Sequence, residues 1–291
     1  MKTIVIIHNL NSRGKNINED YVRELLNKKG IKFHYFQTKQ ISDVDEIIKK
    51  YNNPSEFQYC SIGGDGSLNA LVNSLMKNNI TMPEVSCLPG GSGSDFIRTF
   101  ALPQNIEEAV EHLIYDNFYE VDVGLIKNKT DAKYFINVLN IGFLASTVEV
   151  SEKFPNLFRA FRYPLSFWIK IITARAKEMT ISNDKYEFKG MAFNICVCNA
   201  QYFGGGWNIS PKSSLQDGLF NIQVFAVTKL KAMQIFFLAK KGLHLKESSV
   251  KLKRLSQLTV NSRDPIEIDG DFFGYGPADI FIKKRAIRFK I

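Results

Sequence analysis

Gly63-Gly64-Asp65-Gly66-Ser67 is the stretch that decides how this chain is read. It follows a short apolar run at 59–62. It opens a segment with Leu68, Leu71, Val72, Leu75 and Met76 at i, i+3, i+4, i+7 and i+8, the spacing of one helix face. Glycines at a strand-to-helix junction let the backbone come close to a ligand, and the first-turn N–H groups of a helix favour an anion. An aspartate cannot be there to bind phosphate, because like charges repel. It suits a Mg²⁺ that bridges phosphates, or the water around that ion. The local pattern implies a site for a metal-bound nucleoside polyphosphate.

Three other stretches fit that reading. After the strand-like run 3–7 comes Asn9-Leu10-Asn11-Ser12-Arg13-Gly14-Lys15, a polar turn with a glycine and two cations. After the run 85–88 comes Pro89-Gly90-Gly91-Ser92-Gly93-Ser94-Asp95-Phe96-Ile97-Arg98. Near the C-terminus Ile266-Glu267-Ile268 leads into Asp269-Gly270-Asp271. Any one of them could be ordinary turn punctuation. Four in this order are harder to dismiss.

At these residues the chain resembles the diacylglycerol kinase catalytic-domain family, in particular the soluble bacterial lipid kinases related to sphingosine and ceramide kinases. The matching blocks are 9–14, 63–69, 89–98, Asp217-Gly218 and Asp269-Gly270-Asp271. Departures are equally specific. Leu10 stands where the family has proline, Ser67 and Ser92 keep the hydroxyl of threonines, and Asp271 keeps the carboxylate of a glutamate on a shorter stem. Ala70 replaces a glutamate and Ser94 an asparagine.

The resemblance implies an ATP-dependent lipid kinase that moves the γ-phosphoryl of MgATP to a lipid hydroxyl, with diacylglycerol as acceptor and phosphatidate as product. It implies nucleotide contacts from Asn9, Asn11, Ser12, Thr38, Gly63, Gly64, Asp65, Gly66, Ser67, Asn69 and Ser92, with Lys15 bordering the site. Asp65 would organise Mg²⁺, and Asp271 would be the general base. A carboxylate within hydrogen-bond reach can take the proton of an attacking alcohol. A second, structural Mg²⁺ would be held by Asp217 with carbonyls of Ser214 and Leu219. The bland alternatives are an N-cap at Ser67, a hairpin turn at Asp269-Gly270, a metal-free turn at Asp217-Gly218 and a helix-stabilising Asp95–Arg98 pair.

The organisation of the chain agrees. Strand-like runs at 3–7, 32–36, 58–62 and 84–88 alternate with amphipathic segments around 21–29, 44–51 and 68–77, and another segment follows at 106–116. This is the rhythm of a parallel sheet covered by helices. In such sheets ligands bind outside the carboxyl ends of the strands, where the glycine motifs fall. After about residue 119 the pattern turns to strands at 133–141, 187–199, 218–227, 255–260, 265–269, 279–283 and 286–291. Helical patterns are confined to 157–177, broken by Pro164, and 229–241. The expectation is an α/β domain over 1–122 and a β-rich, sandwich-like domain over 123–291, with the last strand returning to the first domain and the site in the cleft between.

Charge and cysteines bound the partners. With 38 Lys+Arg against 29 Asp+Glu the chain carries +9, which suits an anionic membrane surface or nucleotide phosphates. No zinc spacing, aromatic RNA-binding motif or basic recognition helix points to nucleic acid. A homodimer stays open. Cys60, Cys87, Cys196 and Cys198 all lie in apolar runs and read as buried thiols of a cytoplasmic protein. No apolar run reaches the roughly 18–20 residues that span a bilayer, so a soluble chain with peripheral membrane association is expected. The histidines show no ligand spacing. Phe154, Leu157, Phe158, Phe161, Leu165, Trp168, Ile169 and Ile172 form a stripe at helical spacing, interleaved with Arg159, Arg162, Lys170 and Arg175. Packing against the β-rich domain is the default expectation, and a basic-aromatic lip that meets the membrane is the alternative.

Two other readings remain. An NAD kinase relative would share the glycine-aspartate loop, and a non-catalytic nucleotide or lipid sensor would explain Ala70 and Ser94.

Overall fold

The computed structural model describes residues 2–11, 17–90, 94–155 and 161–291. The chain divides into two units, Met1–Val123 with Lys283–Ile291, and Gly124–Ile282.

In the first unit the alternating pattern becomes four parallel strands, β1 (Thr3–Asn9), β2 (Phe33–Thr38), β3 (Phe57–Gly63) and β4 (Glu84–Pro89), in the order β2-β1-β3-β4. Five helices accompany them: α1 (Glu19–Lys28), α2 (Ile41–Lys50), α3 (Asp65–Lys77), α4 (Asp95–Thr99) and α5 (Ile106–His112). Period-2 alternation sends Ile4, Ile6, Cys60 and Ile62 to one face, where Val22 and Leu26 of α1 and Ala109 and Val110 of α5 cover them. Helix α1 starts where the Asn18 side chain accepts from the Asp20 and Tyr21 N–H groups, an N-cap.

The chain end completes this unit. Strand β16 (Ala278–Lys290) runs parallel to β4, with Arg288 opposite Glu84 and Phe289 opposite Val85. Phe289 is fully buried, its ring 4.9 Å from Phe96 and 5.4 Å from Phe100.

In the second unit a six-stranded antiparallel sheet has the order β12-β11-β10-β7-β14-β15. Its members are β7 (Val138–Gly142), β10 (Asn194–Cys198), β11 (Phe220–Phe225), β12 (Val250–Leu255), β14 (Pro265–Ile268) and β15 (Asp271–Tyr275). Facing it are β8 (Lys177–Asn183), β9 (Tyr186–Ala192), β13 (Gln257–Val260) and the start of β16, together with the hairpin formed by the end of β5 (Phe118–Lys127) and β6 (Ala132–Phe135). Leu139, Ile141, Ile195, Val197, Ile222, Val224, Ile266 and Ile268 point inward and meet Met179, Ile181, Leu258 and Ile280 in one core. This is a sandwich with two apolar inner faces. The outer face of the six-stranded sheet carries α6 (Phe143–Glu152), α7 (Arg162–Thr173) and α8 (Lys229–Ala239), packed on Val138, Cys196, Cys198 and Phe225.

Several sequence expectations need correction. The run 133–141 is two strands, as is 187–199, and 279–283 joins 286–291 in the single strand β16. Helix α6 was unexpected, because Thr147, Val148 and Val150 in its sequence favour strands; it begins at Gly142, whose φ of +103° suits glycine. Pro164 does not break α7. It sits in the first turn, where no i−4 hydrogen bond is needed. Within α7 the buried residues are Ser166, Phe167 and Ile171, whereas Phe161, Leu165, Trp168, Ile169 and Ile172 are exposed. The stripe thus does not pack on the sandwich; Leu157, Phe158 and Arg159 lie outside the described residues. All four cysteines are free thiols. No described helix is long and apolar enough to cross a membrane.

Phe289→Ala is expected to cost about 3–5 kcal/mol, the usual range for emptying a buried aromatic site. Urea denaturation of the variant against the parent chain measures it, and an unchanged midpoint would contradict the place given to β16.

Candidate functional site

The strand ends of the first unit gather most of the expected nucleotide residues. Asn9 closes β1, and its Nδ2 donates to Ser67 Oγ at 3.1 Å. The Asn11 N–H donates to Asn9 Oδ1 at 2.9 Å, and Asn11 Nδ2 donates to the Lys39 carbonyl at 2.7 Å. Thr38 closes β2; it is buried, and its carbonyl accepts from the Leu10 N–H at 3.0 Å. These residues line a cavity of about 110 Å³, polar where Asn9, Asn11, Thr38 and Ser67 meet and apolar at Ile7, Ile41, Val44 and Ala70. Polar edges on an apolar wall suit part of a flat, hydrogen-bonding ligand. Ala70 puts a methyl group where a glutamate would place a charge.

The glycine loops after β3 and β4 touch. Gly63 pairs with Pro89, and the Gly90 N–H donates to the Gly63 carbonyl at 3.0 Å. A Cβ on Gly90 would stand 2.5 Å from Ile17 Cδ1 and 3.3 Å from the Gly63 nitrogen, so a side chain there would require the Ile17 side chain to move. Gly64 is the N-cap of α3, and its carbonyl accepts from the Ser67 N–H at 3.0 Å. Gly66 is exposed and faces open space.

Asp65 has a task that sequence reasoning missed. Its Oδ2 accepts from the Asp95 N–H at 2.9 Å and its Oδ1 from the Phe96 N–H at 2.8 Å. The carboxylate therefore caps α4 and ties its first residues to the start of α3. A carboxylate oxygen has more than one acceptor direction, so capping does not by itself bar the group from orienting a hydrated ion. Asn69 is buried and takes a hydrogen bond from Asn73 Nδ2 at 2.9 Å; it does not line the cavity. Ser12, Lys15 and Ser92 lie outside the described residues. Arg98 Nε stands 3.7 Å from Asp95 Oδ1, the i,i+3 pair of the bland reading.

In the second unit Asp269-Gly270-Asp271 forms the β14–β15 turn, with φ of +50° at Asp269 and +93° at Gly270. The Asp269 carboxylate accepts from the backbone N–H groups of Ile136, Asn137 and Val138 at 2.7, 2.9 and 3.0 Å. Asp271 stays exposed, with Lys133 Nζ 3.3 Å from its Oδ2. Of the two aspartates, the one in the family's base position is the one open to a substrate. Lys133 has no motif that could have revealed it.

Asp217 is ion-paired with Arg254, and its Oδ1 accepts from the Leu219 N–H at 3.0 Å. Arg254 reaches it because β12 pairs with β11, placing Arg254 opposite Asn221. With a guanidinium on one oxygen and an amide on the other, Asp217 is arranged as an ion-pair partner. Ser214 lies in the preceding loop. A metal at Asp217 would have to share that carboxylate with Arg254. Among the described residues no three or more acidic, histidine or cysteine side chains are grouped as a metal cage. Mg²⁺ bound to nucleotide needs no cage, since one or two carboxylates with phosphates and water suffice. Asp65 fits that need.

Beneath α7 and α8 lies an apolar cavity of about 300 Å³, lined among others by Leu144, Phe167, Trp168, Trp207, Met233 and Phe236. A smaller one of about 50 Å³ adjoins it and reaches Phe143, Phe193 and Phe225. Phe237, at its rim, is 70% exposed, and Ile172 and Leu230 outside it are 74% and 80% exposed. These residues come from segments far apart in the chain, which is why no sequence window revealed the cavity.

Residues 3–126 match the diacylglycerol kinase catalytic domain, and residues 137–290 match the YegS C-terminal NAD kinase beta sandwich-like domain. The chain belongs to the diacylglycerol kinase family and is a lipid kinase of that type. It is 28% identical to a diacylglycerol kinase of Staphylococcus haemolyticus (strain JCSC1435) over 77% of this chain and 68% of that one. A diacylglycerol kinase of Staphylococcus saprophyticus subsp. saprophyticus is 25% identical over 90% of this chain and 86% of that one. A crystal structure of a diacylglycerol kinase from Bacillus anthracis str. Sterne shares the fold, with a TM-score of 0.73 at 19% identity, covering 99% of this chain and 96% of that one.

Asp65→Ala is expected to cost about 1–3 kcal/mol, because the Asp95 and Phe96 N–H groups lose their acceptor. Urea denaturation checks it without any substrate; a loss below ~0.5 kcal/mol would leave the cap without weight.

Proposed function

We propose that this chain phosphorylates a membrane-lipid hydroxyl with MgATP, and that diacylglycerol is the acceptor and phosphatidate the product. The observation that carries this reading is the 300 Å³ apolar cavity in the unit that presents Asp271 as an exposed carboxylate. An acyl chain needs an apolar space, and its hydroxyl needs a base.

On this reading the nucleotide lies at the strand ends of the first unit, its polar edges against Asn9, Asn11, Thr38 and Ser67. Asp65, which caps α4, would hold the hydrated Mg²⁺ brought with ATP, and that ion would supply neutralisation of the phosphate charge. The Asp271 carboxylate accepts the proton of the lipid hydroxyl as its oxygen bonds to the γ-phosphorus. The bond from phosphorus to the β–γ bridging oxygen breaks, and ADP leaves. Lys133 keeps the Asp271 carboxylate oriented and offsets its charge beside phosphate. Positioning and charge neutralisation carry most of the acceleration in such transfers.

The exposed face of α7 and α8 supports a bilayer as the partner. Ile172, Leu230, Phe237 and Trp168 present large apolar side chains to solvent, and Lys170, Lys229, Lys231, Lys240 and Lys241 lie on or beside the same helices. Apolar residues amid lysines suit an anionic interface, where each cation near the surface adds about 1 kcal/mol.

The deciding assay incubates the chain with labelled ATP, Mg²⁺ and diacylglycerol in mixed micelles, with NAD in a parallel tube. Phosphatidate should form, and Asp271→Asn should lower kcat by at least ~100-fold, within the range for loss of a general base. Labelled NADP in place of phosphatidate would move the chain to the NAD kinase reading, and ATP binding with no product would make it a sensor. A second expectation concerns the surface. Ile172→Asp with Leu230→Asp should lower turnover of diacylglycerol in anionic vesicles by about tenfold or more, while a short-chain diacylglycerol in solution is used as before. Equal losses on both substrates would reject the docking face.

A further inference from the structure

Glu267 is a carboxyl where the fold leaves no room for an exposed one. It lies in β14 between Ile266 and Ile268, which point into the sandwich core, so its own side chain turns to the helix-covered face and is only 4% exposed. Strand pairing puts Glu267 opposite Asn140, and Asn140 opposite Cys196. The three side chains form a polar row on that face. Asn140 Nδ2 donates to Glu267 Oε1, while Asn140 Oδ1 accepts from Cys196 Sγ at 2.8 Å and from Asn194 Nδ2 at 3.1 Å. The other carboxyl oxygen leaves the row: Glu267 Oε2 accepts from the Gly270 N–H at 2.9 Å. Gly270 is the residue immediately before Asp271.

We propose that Glu267 is a positioning residue for phosphoryl transfer: held by Asn140, its carboxyl fixes the Gly270 N–H and so sets the direction in which Asp271 leaves the turn. The inference rests on the role given to Asp271 above. It adds a residue that touches neither substrate nor nucleotide.

The geometry leaves one adjustable contact in an otherwise anchored turn. Asp269 is held on three amides, and Phe272 is held by its N–H donating to Glu152 Oε1 at 2.9 Å. Gly270, between them, has the Glu267 oxygen. Other titratable groups surround this carboxyl. Asp269 and Asp271 belong to the turn, Cys196 to β10, Tyr163 to α7, and Glu149 and Glu152 to α6, which packs on β14; Lys133 pairs with Asp271. Burial pushes the Glu267 carboxyl up to about 8; the hydrogen bonds from Asn140 and Gly270 oppose that rise, and the charges of Asp269 and Asp271 add to it. The folded chain therefore keeps a proton that the unfolded chain releases near 4.5. The stability from this group is complete below that value and is lost as pH rises through about 8.

Two variants test the proposal. Glu267→Leu removes the acceptor for Gly270; Glu267→Gln keeps an acceptor and is neutral at every pH. Peptide-resolved amide exchange of the 266–272 segment should rise about tenfold in Glu267→Leu relative to Glu267→Gln. In the kinase assay Glu267→Leu should lose about tenfold in kcat with KM for ATP unchanged, and Glu267→Gln should recover most of it at pH 7. The parent chain should lose thermal stability between pH 5 and 9 more steeply than Glu267→Gln. Its kcat–pH profile should bend near 8 where the Gln variant does not. Parent-like exchange and kcat in Glu267→Leu would overturn the proposal, as would an unaltered pH profile in Glu267→Gln. If the parent chain transfers no phosphoryl group, the proposed function falls, while the exchange measurement still decides whether Glu267 holds the turn.

Discussion

The carboxylate of Asp65 on the Asp95 and Phe96 N–H groups is the contact on which the strand-end site depends. Loops that carry glycines have little side-chain packing to define them, and an unrestrained loop cannot present backbone N–H groups to a phosphate in one geometry. Here one aspartate at the start of α3 holds the first residues of α4, and the Gly90–Gly63 hydrogen bond joins the ends of β3 and β4.

The second unit solves a similar problem with Asp269. Its three amide contacts anchor the turn from inside, so Asp271 is left exposed, with Lys133 beside it. With its carboxylate taken up by three backbone N–H groups, Asp269 holds the turn, and the difference between the two aspartates follows from which of them the amides reach. The pairing of Asp217 with Arg254 follows the same logic with a guanidinium in place of amides.

Helix α7 shows how an apolar stripe can mislead. Phe161, Leu165, Trp168, Ile169 and Ile172 have helical spacing, and a stripe of that kind usually marks the buried face. In this helix the buried side is narrower, carrying Ser166, Phe167 and Ile171, and the stripe lies in solvent beside lysines. Exposed large apolar groups in such number mark an interaction surface.

Much of the first unit was legible in the chain itself. Alternation at 3–7, 58–62 and 84–88 and the i, i+3, i+4 pattern after Ser67 are local consequences of strand and helix periodicity, so a parallel α/β unit with its glycine loops at the strand ends could be read directly. Tertiary structure alone decided that Asp65 caps α4, that Arg254 meets Asp217, that α6 is a helix despite its β-branched residues, and that Glu267 sits on Gly270. The Asp65 and Arg254 contacts join segments brought together by strand register or by helix packing, neither of which is encoded in any one window of residues; the Glu267–Gly270 contact is local, but the burial of Glu267 is set by the sheet and the helices over it.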